Sequence, residues 1–268
     1  MTGNDAVLLA ALPGALPQAL PLWAFGFVLV LGRVGAAVML LPGLGEAEAP
    51  AIVRAGIALA LTILLLPGLA PMIPAVPTGA GEAAAMVGAE VITGLWLGWL
   101  ARLLVLALPL AGEVISYMLG ISSVLQPDPE LGAQTTALSR MFSLAAPVAV
   151  LASGLYALPV LALAGSYRLI TPGSLLPSGA GTESAVHAVA VAFGLAVRLA
   201  SPFVIVGIVW QVAAGLLARL IPRVQVYFLS LPGQILGGLV LLAVLTAALL
   251  TAWQQAVQSG FDALPGLH

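Results

Sequence analysis

The chain has 268 residues, of which 62% are apolar and 7% charged, and its mean hydropathy of +1.17 is well beyond what the core of a soluble domain requires. This composition predicts an integral membrane protein. Ten acids, eight arginines and no lysine give a formal net charge of −2, which excludes the basic stripe that nucleic-acid phosphates call for, and the lack of cysteine excludes a disulfide framework or a thiolate metal site.

Residues 1–21 carry Asp5 and no arginine, so they lack the basic start of a cleavable signal and read as a retained, proline-broken lead-in. Apolar runs follow at Leu22 to Leu41, Ala51 to Leu69, Ala84 to Leu125, Thr136 to Ala164, Ala185 to Ala218 and Val226 to Trp253. The first two match the roughly 20 residues that span hydrocarbon. The other four are longer. A straight helix over Ala185 to Ala218 would reach roughly 50 Å against a core of about 30 Å, so it must tilt, break or leave the bilayer.

Pro109, Pro147, Pro159 and Pro202 fall inside these runs, each removing a backbone donor, which predicts kinked or hairpinned helices. Leu-Pro-Gly recurs at Leu41 to Gly43, Leu66 to Gly68, Leu231 to Gly233 and near both ends of the sequence. Proline fixes φ and glycine accepts positive φ, so these read as helix stops. The clearest connections, Pro71 to Gly81 and Thr171 to Gly181, are too short to separate domains. The expected fold is an all-α membrane protein of long kinked helices and helical hairpins, with about six apolar runs and no β-sheet. A single helical domain would occupy residues 22–253, followed by a tail over 254–268. The Gly94/Gly98 and Gly233/Gly237 pairs have the spacing that lets helix backbones approach closely.

Each charge at mid-bilayer depth costs roughly 2.5 to 3.5 kcal/mol, so Arg33 in the first run and Glu90, Arg102 and Glu113 in the third are expected to face protein. They form either a network of opposite charges between helices or an ion path, and a proton relay calls for more acids than these. Arg219 and Arg223 flank Pro222 in the most basic connection, which the positive-inside rule assigns to the cytoplasm. Catalytic chemistry is sparse. Two histidines, His187 and His268, and no HExxH, CxxC, GxGxxG or P-loop pattern leave no metal, nucleotide or cofactor site. A serine nucleophile at Ser122 with His187 as base lacks any adjacency that would activate it.

The stretch from Gly112 to Gly132 (GEVISYMLGISSVLQPDPELG) is the anomaly, placing an acid, serines and an Asp-Pro turn between long apolar runs. Gly120 permits bending, Ser122, Ser123 and Gln126 tolerate water, and Pro127 and Pro129 oppose continued helix. Such a break is tolerable only where protein or a lumen replaces lipid.

Three collinear blocks between Trp23 and Trp253 resemble the FliR family of type III secretion export-gate proteins. The first is Arg33 with Pro42, Pro50 and Arg54; the second is Ala111-Gly112-Glu113, Gly120 and Asp128-Pro129; the third is Pro202, Gly215-Leu216-Leu217, Arg219, Pro222, Phe228 and Pro232. The sequence departs from the family pattern at Ser123, Ser153-Gly154, Gln211 and Arg223. The resemblance implies a non-enzymatic flagellar export-gate subunit of the bacterial inner membrane and flagellar basal body, without cofactor or metal. Its implied partners are FliP-, FliQ- and FlhB-type proteins and unfolded secreted substrates. It also implies a luminal plug, here Met118, Leu119, Gly120, Ile121, Ser122, Ser123, Val124, Leu125, Gln126, Asp128 and Pro129. Arg33, Pro42, Pro50, Arg54, Glu113, Pro202, Arg219 and Pro222 would serve structure and assembly. Two other readings remain: the resemblance also implies an injectisome gate subunit as an alternative, and the residues allow a stand-alone transporter using Arg33, Glu90, Arg102 and Glu113 at a midplane site.

Overall fold

A computed structural model describes residues 16–121, 136–175, 178–220 and 226–267. Seven α-helices follow one another among the described residues: α1 (Leu16–Val38), α2 (Ala51–Leu69), α3 (Ala80–Leu119), α4 (Ala137–Ala152), α5 (Ala157–Leu169), α6 (Ser178–Leu220) and α7 (Val226–Asp262). No strand occurs among those residues, and the all-α membrane fold is borne out. Five of these helices are long and apolar enough to cross a membrane, and the bent pair α4–α5 makes a sixth candidate.

Several boundaries move for identifiable reasons. α1 begins at Leu16, inside the expected lead-in, and carries Pro21 within it. The run expected over Thr136 to Ala164 is two helices meeting at 72°, and the break falls at neither proline. Pro147 lies within α4 and Pro159 in the first turn of α5, where a missing N–H has no intrahelical acceptor to lose. The chain turns instead at Gly154, whose φ of 76° belongs to the left-handed region. Leu231 to Gly233 is no stop either: α7 runs through Pro232, and Gly233 is not among the positive-φ glycines. Pro232 removes a single hydrogen bond near the start of a 37-residue helix, and the apolar sequence beyond it favours continuing the backbone ladder. The stops at Leu41 to Gly43 and Leu264 to Gly266 hold, with φ of 83° at Gly43 and 104° at Gly266. α2 ends at Leu69, one residue beyond Gly68, while Leu12 to Gly14 lies outside the described residues. α6 is continuous over 43 residues, about 65 Å at 1.5 Å per residue, so of the three alternatives a break is the one that does not occur among them. α7 continues past Trp253 to Asp262, because Val257 and Phe261 extend the buried spacing of Leu249 and Trp253 by whole turns.

The chain divides into two compact units, one of residues 1–102, 154–185 and 261–268, the other of 103–153 and 186–260. In the first, Leu29, Val30, Val34, Ala37 and Val38 of α1 are buried together with Leu97 and Ala101 of α3 and Leu163 and Tyr167 of α5. Gly98 makes the α1–α3 approach possible: a Cβ there would stand 2.8 Å from the Ala37 carbonyl oxygen. Gly94 is closer still to the Arg33 carbonyl, so this glycine pair packs tightly, as its spacing predicts. The second pair does not act as one. Gly233 receives the Trp210 ring, a Cβ on Gly237 would meet nothing within 4 Å among the described residues, and it is Gly238 that receives Leu119. In the second unit the core stripe of α3 is Leu104, Leu108, Ala111 and Ile115, at helical spacing. It is joined there by Phe142, Ala146 and Val150 of α4, Leu199 and Phe203 of α6, and Trp253 and Val257 of α7.

Candidate functional site: a buried charge node and an anchored helix break

The first unit is organised around Arg33, which is fully buried. Its Nε donates to Glu90 Oε2 and its Nη2 to Glu90 Oε1, both at 2.9 Å, so α1 and α3 share a two-point ion pair. Nη1 donates to Ser166 Oγ at 3.2 Å and Nη2 to the Ile170 carbonyl at 3.0 Å, while the guanidinium lies 4.1 Å from the centre of the Tyr167 ring. Glu90 Oε1 also accepts the Gly173 N–H at 2.7 Å, tying down the turn after α5. Every charge here is compensated, which is the condition for burying it.

Arg102 is handled separately and less deeply. Its Nη2 donates to Glu46 Oε2 at 3.1 Å and its Nη1 to the Leu40 carbonyl at 3.4 Å, and Glu46 Oε1 accepts the Gly43 N–H at 3.1 Å. The turn beginning with Pro42 is thereby pinned to α3. Pro50 stands just before α2, its carbonyl accepting the N–H groups of Val53 and Arg54, and Arg54 Nε is buried with no hydrogen-bond partner among the described residues.

The second unit holds the break. α3 ends at Leu119, and Gly120 takes φ of 74°, a left-handed termination that a side chain would oppose. Two ties flank the residues beyond it. On the near side, Gln234 Nε2 of α7 donates to the Met118 carbonyl at 2.7 Å, satisfying an acceptor that the helix end leaves free. Met118 packs on Gly207 of α6 and Leu119 on Gly238 of α7. On the far side, Glu113 Oε2 accepts from both Thr136 N (3.2 Å) and Thr136 Oγ1 (2.9 Å), and Thr136 Oγ1 in turn caps α4 by accepting from Ser139 N. Ser139 Oγ donates to the Pro109 carbonyl at 2.9 Å. Residues on both sides of the 122–135 segment are thus fixed to one scaffold.

Of the residues singled out from the sequence, Arg33 meets Glu90 and the turn positions Pro42 and Pro50 frame the start of α2. Met118, Leu119, Gly120 and Ile121 lie at or just past the end of α3. Ser122, Ser123, Val124, Leu125, Gln126, Asp128, Pro129 and Pro222 lie outside the described residues. Pro202 is inside α6, and Arg219 is exposed in the last turn of that helix, where a cation suits the helix dipole. Sequence reasoning missed Ser166, Tyr167, Gly173, Glu46, Thr136 and Gln234. Thr136 alone had a local signal, as a threonine directly before a helical apolar run.

The sequence profile of the family described as bacterial export proteins, family 1, matches residues 24–260. The chain belongs to this family. It is 32% identical to the flagellar biosynthetic protein FliR of Caulobacter vibrioides over 234 residues, covering 87% of this chain and 93% of the relative. Proteins of the same name from Bacillus subtilis and Escherichia coli are 26% and 24% identical, over 81% and 80% of this chain and 85% and 81% of theirs. The resemblance read from the three motif blocks is borne out, and the membrane and protein-export assignments with it.

Proposed function

We propose that this chain is a non-enzymatic subunit of a flagellar protein-export gate in the bacterial inner membrane. It forms part of the wall of a conduit for unfolded polypeptides and supplies that conduit's resting plug from Met118 to Pro129. The flagellar name of its relatives favours this over an injectisome role. The observation that carries the reading is the pair of ties at Met118 and Glu113, which hold the two ends of a proline-interrupted segment to one helical scaffold. A segment that cannot complete its own backbone ladder needs protein or water around it, and a conduit shared with other subunits provides both. Apolar Met118, Leu119, Ile121, Val124 and Leu125 suit a constriction that holds back ions at rest.

Exposed apolar faces on two of the membrane-spanning helices leave room for neighbouring subunits as well as for lipid. Leu236, Leu239, Val240 and Val244 of α7 and Ile52, Leu59, Ile63 and Leu64 of α2 are all exposed. FliP-, FliQ- and FlhB-type proteins are the expected neighbours on such faces. The stand-alone transporter needs Arg33, Glu90, Arg102 and Glu113 free to bind a solute, whereas the first three are already paired and Glu113 holds Thr136.

Purification of the tagged chain in mild detergent tests the reading. It should emerge in a complex with several small multi-helix membrane proteins, and the isolated chain in liposomes should carry no coupled solute flux. Recovery as a lone chain that transports solute would overturn the proposal.

A further inference from the structure

Glu113 lies well inside the apolar run of α3 without a cation among the described residues, whereas Glu82, Glu183 and Asp262 lie within about six residues of a helix end. Glu90 has Arg33 and Glu46 has Arg102, but no ion pair reaches Glu113 among the described residues. Its Oε2 is taken by Thr136, and Oε1 has no hydrogen-bond partner there. The sequence cannot supply the missing base locally. Between Arg102 and Arg140 it carries Glu113, Asp128 and Glu130 and no basic residue, and no ion pair joins Arg140 to Glu113 among the described residues.

The surroundings are apolar. Glu113 lines a cavity of about 360 Å³ together with Leu103, Leu106, Leu110, Val189 and Phe193. Ser139, the other polar side chain of the lining, has its hydroxyl turned to the Pro109 carbonyl. Leu106, Leu110 and Phe193 are exposed, so the cavity opens onto an apolar face. A carboxylate in such a wall is strongly favoured by an opposite charge, since ionisable groups among membrane helices pair with one another.

We infer that Glu113 is the docking point for a basic side chain of a neighbouring membrane subunit. The aliphatic stem of a lysine or arginine fills the cavity against Leu106, Leu110 and Phe193, and its head reaches Oε1. This rests on the multi-subunit reading above and names the chemistry of one contact in it. Charge complementarity selects the occupant: an acyl chain would fill the cavity and leave the carboxylate uncompensated.

Glu113→Gln isolates the charge, because the amide oxygen still accepts from Thr136 while the net charge is lost. At equal amounts in the membrane, the Gln variant should be recovered in the multi-subunit complex roughly thirtyfold less, the low end of the loss on removing one member of a hydrogen-bonded interfacial ion pair. Glu113→Lys should abolish recovery. A photo-crosslinking residue at Phe193 in the purified wild-type complex should mark a peptide with a lysine or arginine within one helical turn. Changing that base to Glu should restore assembly to the Glu113→Lys variant. Wild-type recovery of the Gln variant, or crosslinking to lipid or to a peptide without a base, overturns the inference and leaves the export-gate reading standing. A wild-type chain that enters no complex at all removes both.

Discussion

Removing Glu90 from the Arg33 node should be among the most damaging single changes in the first unit, yet removing Arg33 with it should restore much of the loss. Glu90→Leu leaves a fully buried guanidinium with the Ser166 hydroxyl, the Ile170 carbonyl and the Tyr167 face but no counter-charge, and it strands the Gly173 N–H. Breaking a buried pair from one side costs about 3–5 kcal/mol. Arg33→Met falls in the same range, since the carboxylate then keeps only Gly173 as donor. In the double variant no buried charge remains. Ser166 Oγ still donates to the Leu163 carbonyl at 2.7 Å, so the unmet groups reduce to the Gly173 N–H and one acceptor site at Ile170. At about 1 kcal/mol for each lost bond the double variant should cost about 2 kcal/mol. The coupling energy is then about 4–8 kcal/mol in favour of the pair, and the double variant is more stable than either single one. Reversible unfolding of the four proteins in mixed micelles, followed by tryptophan fluorescence, gives the cycle. Additive single losses, or a single loss below about 1 kcal/mol, would refute the idea that charge compensation holds this node together.

Other substitutions probe other links in the chain of reasoning, using the same unfolding assay. Gly98→Leu should destabilise by about 1–3 kcal/mol or more, because its side chain enters the space of Ala37 and Leu40; a neutral result would mean that α1 and α3 can separate freely. Gly154→Ala meets nothing within 4 Å among the described residues, so its cost should be the left-handed backbone alone, about 1–2 kcal/mol, and no loss would mean the bend relaxes without strain. Thr136→Val removes the α4 cap and one Glu113 bond and should cost about 1–2 kcal/mol. Arg102→Ala should cost less than the roughly 3–5 kcal/mol of breaking the fully buried Arg33 pair, because Arg102 and Glu46 are only partly buried; a loss as large as that would mean that the fold depends on the two pairs equally.

The sequence was most legible where composition and chain breakers act locally. α2 spans Ala51–Leu69, the residues its apolar run delimits, because Pro50 starts it and Pro67-Gly68 closes its last turn. The prediction that Arg33, Glu90 and Arg102 face protein followed from the cost of exposing charge to hydrocarbon. Their partners were not legible: Glu90 lies 57 residues from Arg33, and Ile170 lies 137, separations that only tertiary packing closes. Proline misled in the fourth run, since a helix tolerates it in the first turn and can carry it inside, whereas Gly154 bent the chain with no proline at the bend itself. At the candidate plug, Gly120 signalled the end of α3, but the anchoring amide of Gln234 comes from a helix 116 residues away.

Ion conductance through the assembled complex tests the plug most directly. With residues 121–126 deleted and the subunits still assembled, small ions should cross a membrane that the wild-type complex keeps sealed. A deleted complex that assembles normally and stays as tight as wild type would contradict the assignment of a resting seal to the segment after Gly120.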